Sequence, residues 1–429
     1  MTYQRTDFTQ RETIRRLGRE QLATLQFQKL NGLLAEVLPS NQFYAAKLER
    51  HSSPLASLGE FSSWPLTTKD ELLENASAAG FAANLTYPLD QYCRLHRTSG
   101  SRGRPLIVLD TVADWQWWME SWQYVLDSVR LSSADRIMMA FSFGPFIGFW
   151  SAFDAVVERG CMTAPTGSLS TLARLELLRT MNATVVFCTP SYALHMAEVA
   201  ENHGIALADL SVRAIVVAGE PGGSVPAIRK QIETGWQAEV VDHSGASEVG
   251  PWGIATPSGQ GLFVNEAQFI AEFLTLDSQR PAEAGQLSEL VLTTLGRAGS
   301  PVIRYRTGDL VRPRWEHHHD CRFVWLEGGV LGRTDDMMII RGVNVFPTAI
   351  EQILRCFPEV VEYRLIAFKQ AALDQLKIEI EDRIEQPQRI MQAIQVQLGL
   401  RVEVTCVPLG SLPRFEAKGK RFIDQRTNR

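Results

Sequence analysis

A chain of 429 residues is too long for one ordinary hydrophobic core, so we expect a large domain and a smaller one. With 45% apolar and 21% charged residues, its composition is that of a soluble globular protein and argues against disordered, collagen-like and membrane classes. A net charge of -5 gives no reason to expect nucleic acid or an anionic membrane as the main partner, which favours a small-molecule substrate.

The cysteines and the first residues point to an intracellular protein. The six cysteines are scattered and form no CxxC pair, so we expect reduced thiols rather than a disulfide framework. The first residues contain no apolar stretch typical of a secretion signal. We therefore expect a cytoplasmic protein, and a homodimer stays open as its assembly state.

The first hundred residues are predicted to be helices joined by loops. Apolar residues recur at helical spacing over 11–37, and Thr68 stands where a cap is expected before a further helix. A loop rich in glycine and hydroxyl groups follows at 97–105. Glycines let a backbone approach a phosphate closely, and hydroxyls and amides donate to its oxygens. The spacing is not that of a Walker loop, and taken alone such a loop is more often a surface turn.

From about residue 134 short apolar runs alternate with helical stretches. Strands are predicted at 136–140, 183–188, 213–218 and 238–242, and helices at 190–203 and 226–235. Such βαβ alternation favours a parallel sheet covered by helices. The uncharged run 137–153 does not predict a membrane span, because Gly144, Pro145 and Gly148 interrupt it.

The last third of the chain predicts a β-rich region and then a second α/β unit. Hairpin-like strands are expected at 289–294 and 321–326. The second unit has predicted helices and strands at 348–356, 362–368, 375–381, 387–398 and 401–407. The predicted fold is therefore α/β, with a large N-terminal domain (1–333) of parallel sheets covered by helices and a β-rich subdomain, followed by a small mobile α+β lid (334–429).

Four further segments follow one another along the chain in an order and at a spacing that are informative together. They are Asp242-His243-Ser244-Gly245-Ala246-Ser247-Glu248, Tyr305-Arg306-Thr307-Gly308-Asp309, the stretch 332–347 and the stretch 413–420. Together with the glycine-rich loop they resemble the motifs of the adenylate-forming superfamily of acyl-CoA ligases, adenylation domains and luciferases. The stretch 332–347 is most similar to the hinge segment of the phenylacetate-CoA ligase family. The resemblance extends over about 43–424.

This resemblance implies a site for ATP. The β- and γ-phosphates would be held by the glycine-rich loop, through Thr98, Ser99, Gly100, Ser101 and Gly103. The adenine and ribose would be bordered by Gly219, Glu220, Pro221, Asp242, His243, Ser244, Asp309 and Arg333. Asp309 would accept hydrogen bonds from both ribose hydroxyls, with Arg333 nearby. Ser244 departs from the family pattern, which has an aromatic residue stacked on the adenine, so ATP affinity is expected to fall by ~1 kcal/mol.

The resemblance also implies the reacting groups. Glu248 would bind Mg²⁺, a hard cation that prefers carboxylate and phosphate oxygens. Lys418 would reach from the lid toward the reacting carboxylate and the α-phosphate, with Asp335 as the hinge. A compact cation on a mobile domain can be delivered for one step and withdrawn for the next.

Two clusters have competing interpretations. An acyl pocket is predicted from Phe141, Phe146 and Trp150 with Gly245 and Ala246, although an ordinary core is as good an interpretation of the aromatic residues. The consecutive histidines at 317–319 predict a solvated turn rather than a metal site, because neighbouring strand residues point to opposite faces.

The sequence therefore predicts an AMP-forming ligase that activates an aryl or acyl carboxylic acid through an acyl-adenylate and transfers it to coenzyme A. ATP, Mg²⁺ and coenzyme A are the expected cofactor and co-substrates. Three alternatives stay open: transfer to an amine or a carrier-protein thiol, a non-catalytic nucleotide-binding protein, and a serine hydrolase. The last is disfavoured because no GxSxG motif occurs.

Overall fold

A computed structural model describes residues 5–51, 53–76, 80–98, 105–316, 321–336, 338–340, 343–370, 373–414 and 421–426. The N-terminal part is helical, as predicted. Its helices are α1 (Phe8–Arg15), α2 (Arg19–Val37), α3 (Gln42–Lys47), α4 (Leu58–Phe61) and α5 (Lys69–Glu74). The helical structure predicted over 11–37 is found as two helices, because the extended backbone of Gly18 separates α1 from α2. Thr68 caps α5 by accepting from the Glu71 amide.

An antiparallel pair of strands, β1 (Tyr92–Arg97) and β2 (Ile107–Thr111), flanks the predicted phosphate loop. Helix α6 (Val112–Ser128) follows directly, with Thr111 as its cap. The sequence did not predict this helix. Nearly every residue from 114 to 127 is buried, so α6 lacks the polar face that produces a helical period in the sequence.

The main sheet has the predicted βαβ alternation. Its parallel part is built from β3 (Arg136–Met139), α7 (Ile147–Glu158), β4 (Met162–Pro165), α8 (Thr171–Thr180), β5 (Val185–Cys188), α9 (Pro190–Asn202), β6 (Ala214–Val217), α10 (Pro226–Trp236) and β7 (Glu239–Ala246). The strand order is β4-β3-β5-β6-β7, parallel throughout, with β5 and β6 fully buried. The carboxyl ends of these strands therefore meet at one edge, where ligands bind in open α/β sheets.

Antiparallel strands complete the N-terminal region. They are β8 (Gly250–Ala255), β9 (Gly261–Val264), β10 (Phe269–Thr275), β11 (Ser288–Thr294), β12 (Tyr305–Val311), β13 (Pro313–Arg314), β14 (Trp325–Glu327) and β15 (Gly332–Arg333). Strands β8, β9, β14 and β13 extend the main sheet, and β10-β11-β12-β15 forms a second sheet. The strand predicted at 321–326 is shorter than expected and begins only at Trp325.

A second α/β unit follows the short 3₁₀ turn Thr334–Asp336. It contains β16 (Met338–Ile340), β17 (Val343–Val345), α11 (Pro347–Arg355), β18 (Val360–Gln370), β19 (Leu373–Asp382), α12 (Pro387–Leu398), β20 (Glu403–Cys406) and β21 (Phe422–Asp424). The sheet order is β20-β19-β18-β21. This unit buries its own apolar cluster, drawn from residues 338–404, apart from the clusters of the N-terminal region.

The predicted fold class is confirmed: helices cover a largely parallel sheet, β-rich parts follow, and a small α+β unit ends the chain. The boundary at 333/334 and the mobility of the lid stay predictions. In the part of the chain that the structure describes, the helices are too short or too polar to cross a membrane.

Candidate active site

One cavity of about 190 Å³ opens at the carboxyl ends of β6 and β7. Its lining includes all of the residues predicted to border adenine and ribose, namely Gly219, Glu220, Pro221, Asp242, His243, Ser244, Asp309 and Arg333. They come from four separate stretches of sequence and meet because β6 and β7 are parallel neighbours while β12 and β15 approach from the second sheet. We call this space the nucleotide cavity.

The loop after β6 is held in place by its glycine and its glutamate. Gly219 has φ of +93°, a left-handed conformation that glycine adopts without steric cost. The Glu220 carboxylate accepts from the backbone amide of Ser191 at 2.8 Å and also from the Ser191 hydroxyl. It thereby ties the loop to the first turn of α9, and the Arg421 guanidinium of the lid lies 4.0 Å from its other oxygen.

Asp242 forms the buried floor of the nucleotide cavity. Its carboxylate accepts from the Ser224 hydroxyl at 2.5 Å, and burial raises the pKa of Asp242 to about 6 against the lowering effect of that bond. The backbone of Gly223 approaches so closely that a Cβ there would lie 2.6 Å from the Asp242 side chain. Glycine is therefore required beside this aspartate.

Asp309 and Arg333 face each other across a strand pair. They are direct partners in the β12–β15 ladder, and their charged groups are 3.5 Å apart. Arg333 also donates to the Thr307 carbonyl at 3.1 Å, so its guanidinium is fixed on the rim of the cavity. The preceding Gly308 has φ of +76°, which turns the chain so that Asp309 lines the cavity.

A second cavity of about 150 Å³ adjoins the first and is mainly apolar. We call it the acid chamber. Of the residues predicted for the acyl pocket, Phe141, Phe146, Gly245 and Ala246 line it. The two cavities share part of one wall, made of Gly219, His243, Gly245 and Ala246. A ligand in the acid chamber would therefore meet a nucleotide at this shared wall.

The structure places Trp150 behind the acid chamber and not among its lining residues. Its indole nitrogen donates to the Gly144 carbonyl at 3.0 Å, and its ring meets Phe143 edge-on at 4.9 Å. The neighbouring Phe149 lines the chamber instead, stacked on Phe141 at 4.0 Å between ring centroids.

Sequence reasoning missed the tryptophans of α6. Trp118 and Trp122 form a wall of the acid chamber. The Trp118 indole donates to the Asp110 carboxylate at 3.1 Å, and the Trp122 indole donates to the Ser151 hydroxyl at 2.9 Å. Both rings are thus fixed by hydrogen bonds as well as by packing. The tryptophan-rich composition of 115–122 was the signal that could have indicated them.

A buried ion pair supports both cavities. The Arg297 guanidinium bonds the Asp110 carboxylate at 2.7 Å, and neither side chain is exposed. Arg297 also donates to the backbone carbonyls of Ser247 and Glu248. It therefore positions the turn that carries Glu248, and through Asp110 it is connected to Trp118.

Glu248, the predicted magnesium ligand, lies beside the predicted phosphate loop. The Lys69 ammonium is 2.9 Å from a Glu248 oxygen and donates to the Thr98 hydroxyl at 3.2 Å. Thr98 in turn accepts from the Leu106 amide, which fixes the base of the loop. Among the described residues, no three or more histidine, cysteine, aspartate or glutamate side chains are grouped so that they could hold a metal ion. One carboxylate nevertheless fits Mg²⁺, which is usually held by one or two carboxylates together with substrate phosphates.

Several predicted residues lie outside the described part of the chain. They are Ser99, Gly100, Ser101, Gly103 and Lys418, together with the histidines at 317–319. Asp335 lies in the 3₁₀ turn that connects β15 to the lid, and Asp336 next to it lines the nucleotide cavity.

The lid rests against the N-terminal region through polar contacts. Arg414 lies 3.5 Å from Glu198 of α9 and 2.8 Å from Glu381 of the lid. The Thr348 hydroxyl donates to the Leu331 carbonyl at 2.7 Å. A wide space of about 480 Å³ remains between α9 and the lid, so the interface is loosely packed.

Comparisons with known proteins agree with this arrangement. Residues 342–426 match the family model of the AMP-binding enzyme C-terminal domain. The chain is 30% identical to phenylacetate-coenzyme A ligase of Thermus thermophilus, over 96% of this chain and 98% of the relative. It is also 30% identical to the phenylacetate-coenzyme A ligase of Escherichia coli, over 95% of each chain.

Crystal structures of one ligase in two states differ in their similarity to this chain. The fold is similar to 2-hydroxyisobutyryl-CoA ligase in the postadenylation state with 2-HIB-AMP, with a TM-score of 0.91, 25% identity and coverage of 99% of this chain and 94% of that chain. For the same ligase in the thioesterification state with coenzyme A, the TM-score is 0.74 at equal coverage. The structure as a whole is therefore more similar to the postadenylation state of that ligase than to its thioesterification state. By sequence and by fold, the chain belongs to the phenylacetate-coenzyme A ligase family of adenylate-forming enzymes.

Proposed function

We propose that this enzyme activates a compact carboxylic acid with ATP and transfers the acyl group to coenzyme A, releasing AMP and pyrophosphate. The observation that carries the proposal is the shared wall of the two cavities, at Gly219, His243, Gly245 and Ala246. A carboxylate at the mouth of the acid chamber then meets the α-phosphate of a nucleotide in the adjoining cavity. Holding the two reactants in this geometry supplies much of the rate acceleration.

In the first half-reaction a carboxylate oxygen attacks the α-phosphorus of ATP. The bond from that phosphorus to the oxygen bridging to the β-phosphate breaks, and pyrophosphate leaves. Asp309 holds the ribose hydroxyls, Asp242 lies at the base of the nucleotide cavity, and Lys418 neutralises charge where the carboxylate meets the phosphate. Glu248 would hold Mg²⁺, which supplies charge neutralisation at the phosphates.

Lys69 is an additional phosphate contact in this proposal. It already lies between Glu248 and Thr98, the two predicted contacts for magnesium and phosphate. An ammonium in this position is within reach of a phosphate oxygen held by the loop, and a compact cation is well suited to that role. Its ion pair with Glu248 would loosen as the carboxylate binds the metal.

In the second half-reaction the thiol of coenzyme A attacks the acyl carbon of the adenylate, and AMP leaves. The lid rotates between the two half-reactions about the turn that contains Asp335. The two TM-scores for 2-hydroxyisobutyryl-CoA ligase support such a motion, because structures of one ligase in two reaction states differ in their overall similarity to this chain. An amine or a carrier-protein thiol is the alternative acceptor.

The acid is proposed to be an aryl or other compact acid. A cavity of about 150 Å³ with apolar walls admits one benzene ring, and the acid chamber has this volume and seven aromatic or imidazole side chains in its lining. The relatives named for phenylacetate support the same class of acid.

The test is pyrophosphate release from ATP across a panel of carboxylic acids, measured with and without coenzyme A. We expect acid-dependent release with single-ring acids and thioester formation only when coenzyme A is present. Acid-dependent release that yields no thioester, with a hydroxamate forming when hydroxylamine is added, would point to another acceptor. No release with any acid would refute the proposed function.

A further inference from the structure

His243 occupies a special position in the shared wall of the two cavities. It lies in β7 and lines both the nucleotide cavity and the acid chamber. Its side chain is almost fully buried, and its ring packs on the Trp122 indole at 4.4 Å between centroids. Buried polar atoms normally have a hydrogen-bond partner, so we consider the partner of each of the two ring nitrogens.

The first nitrogen determines the tautomer. His243 Nδ1 lies 2.7 Å from the Gly253 carbonyl oxygen, which can only accept. Nδ1 therefore carries the proton. Burial lowers the pKa of His243 to about 4, and the bond to the carbonyl opposes this only in part. At neutral pH the ring is uncharged, so Nε2 has no proton and acts solely as an acceptor.

The second nitrogen lies beside Gly245. A Cβ added at Gly245 would lie 3.5 Å from His243 Nε2, and Gly245 itself lines both cavities. Among the described residues, no group donates a hydrogen bond to Nε2. Ser151, another polar side chain in the chamber, accepts from Trp122 and donates to the Gly148 carbonyl. The acid chamber thus presents an unused acceptor, and burying such a group beside an apolar ligand is costly.

We propose that Nε2 of His243 accepts a hydrogen bond from a hydroxyl or amino group of the acid substrate, so that the enzyme selects donor-bearing acids over the same acids without the donor. This inference rests on the proposed function and names the class of acid that the site prefers. The Gly253 carbonyl orients the ring, and the Trp122 indole keeps it in place.

Matched acids test the inference in the wild-type enzyme. The panel pairs benzoate and phenylacetate with their ortho-, meta- and para-hydroxy isomers, and kcat/KM for pyrophosphate release is measured for each. We expect one isomer in a series to exceed its parent acid by about five- to tenfold, the effect of one neutral hydrogen bond in a desolvated site. If no hydroxylated acid exceeds its parent, the inference is wrong.

Two variants assign the preference to His243. His243→Phe keeps an aromatic ring against Trp122 but has no acceptor, so it should equalise the preferred acid and its parent. His243→Gln keeps an acceptor and should retain part of the preference. If the ratio of kcat/KM for the preferred acid to kcat/KM for its parent stays unchanged in both variants, the acceptor is another group and the inference is overturned.

Equilibrium binding separates this inference from the proposed function. Dissociation constants of the same acids are measured calorimetrically for the wild type and for whichever variants fold, without ATP or coenzyme A. A hydroxyl preference in binding that His243→Phe or His243→Gln alters supports the role of His243 even if no acid is turned over. Turnover without any hydroxyl preference refutes the role of His243 and leaves the ligase proposal intact.

Discussion

The Lys69 ammonium lies 2.9 Å from a carboxylate oxygen of Glu248 and also bonds Thr98. If this lysine contacts the phosphates of ATP, Lys69→Met should raise the ATP KM about tenfold, because a charge-assisted hydrogen bond contributes ~1.5–3 kcal/mol. The matched control is Lys377→Met. Lys377 pairs with Glu379 in the lid sheet and is exposed to a similar degree, 33% against 32% for Lys69. If the ATP KM of Lys69→Met is unchanged, Lys69 does not contact the phosphates and only positions Glu248.

Asp309 provides a test of the ribose contact. Asp309→Ala should raise the ATP KM at least tenfold, since hydrogen bonds from hydroxyls to a carboxylate are worth ~1.5–3 kcal/mol apiece. Asp277→Ala, in an exposed turn after β10, is the control and should leave the ATP KM unchanged. Steady-state kinetics at saturating acid measures both variants. Normal ATP dependence in an active Asp309→Ala enzyme would remove this assignment.

Lys418 should serve only the first half-reaction. Losing one preorganised donor at the developing charge typically lowers the rate by ~10²–10³. Lys418→Ala should therefore nearly abolish acid-dependent pyrophosphate release, while thioester formation from synthetic acyl-AMP and coenzyme A survives within about a few-fold. Lys420→Ala is the control. Equal loss of both half-reactions in Lys418→Ala would indicate a structural role, and an exchange of behaviour between the variants would move the motif by two residues.

The lid should rotate as a rigid body about the segment from Arg333 to Asp336. Crystals with a non-hydrolysable acyl-AMP analogue should keep the contacts of Arg414 with Glu198, and crystals with coenzyme A should lose them. The Arg414–Glu381 pair lies within the lid and should persist in both, which makes it an internal control. Superposition of all ligand states on one lid arrangement would contradict the hinge.

The preference for a hydroxylated acid should be insensitive to mild acid. The pKa of His243 is lowered to about 4, below the ordinary value, so the ring stays a neutral acceptor as the pH falls from about 8 to about 5.5. A histidine with an ordinary pKa would be about nine-tenths charged at the lower pH and would no longer accept. The measurement is the ratio of dissociation constants for the preferred acid and its parent at several pH values. If the two dissociation constants become equal as the pH falls to about 6.5, the ring is charged at that pH and its assignment as a neutral acceptor is wrong.

The residues of the nucleotide cavity were predicted from the resemblance of their motifs to those of the adenylate-forming superfamily, and strand pairing explains why these motifs meet. Asp242 belongs to one parallel strand, and Asp309 and Arg333 belong to a ladder of the second sheet. The acid chamber was harder. Adjacent helical residues such as Phe149 and Trp150 point about 100° apart, so the sequence does not say which one faces the chamber.

Other residues of the site had no sequence signal that pointed to their role. Trp118 and Trp122 belong to a helix buried on nearly all faces, which removes the polar and apolar period that reveals orientation. Lys69 was predicted only as the start of a capped helix, and its contact with Glu248 spans 179 residues of sequence, a separation that no local pattern encodes. Side-chain contacts between distant elements depend on how the elements pack.

The walls of the acid chamber are formed partly by helices and partly by strand β7, and this affects how the acid specificity of the enzyme can change. Helices α6 and α7 supply Trp118, Trp122 and Phe149 but contribute no described residue to the nucleotide cavity. Substitutions on these two helices can therefore remodel the acid chamber while ATP use is retained. Changes at His243 or Gly245 would alter the binding of the nucleotide and of the acid together, because both residues line both cavities. Libraries for new acids should accordingly vary the helix-borne positions and keep the residues of β7 fixed.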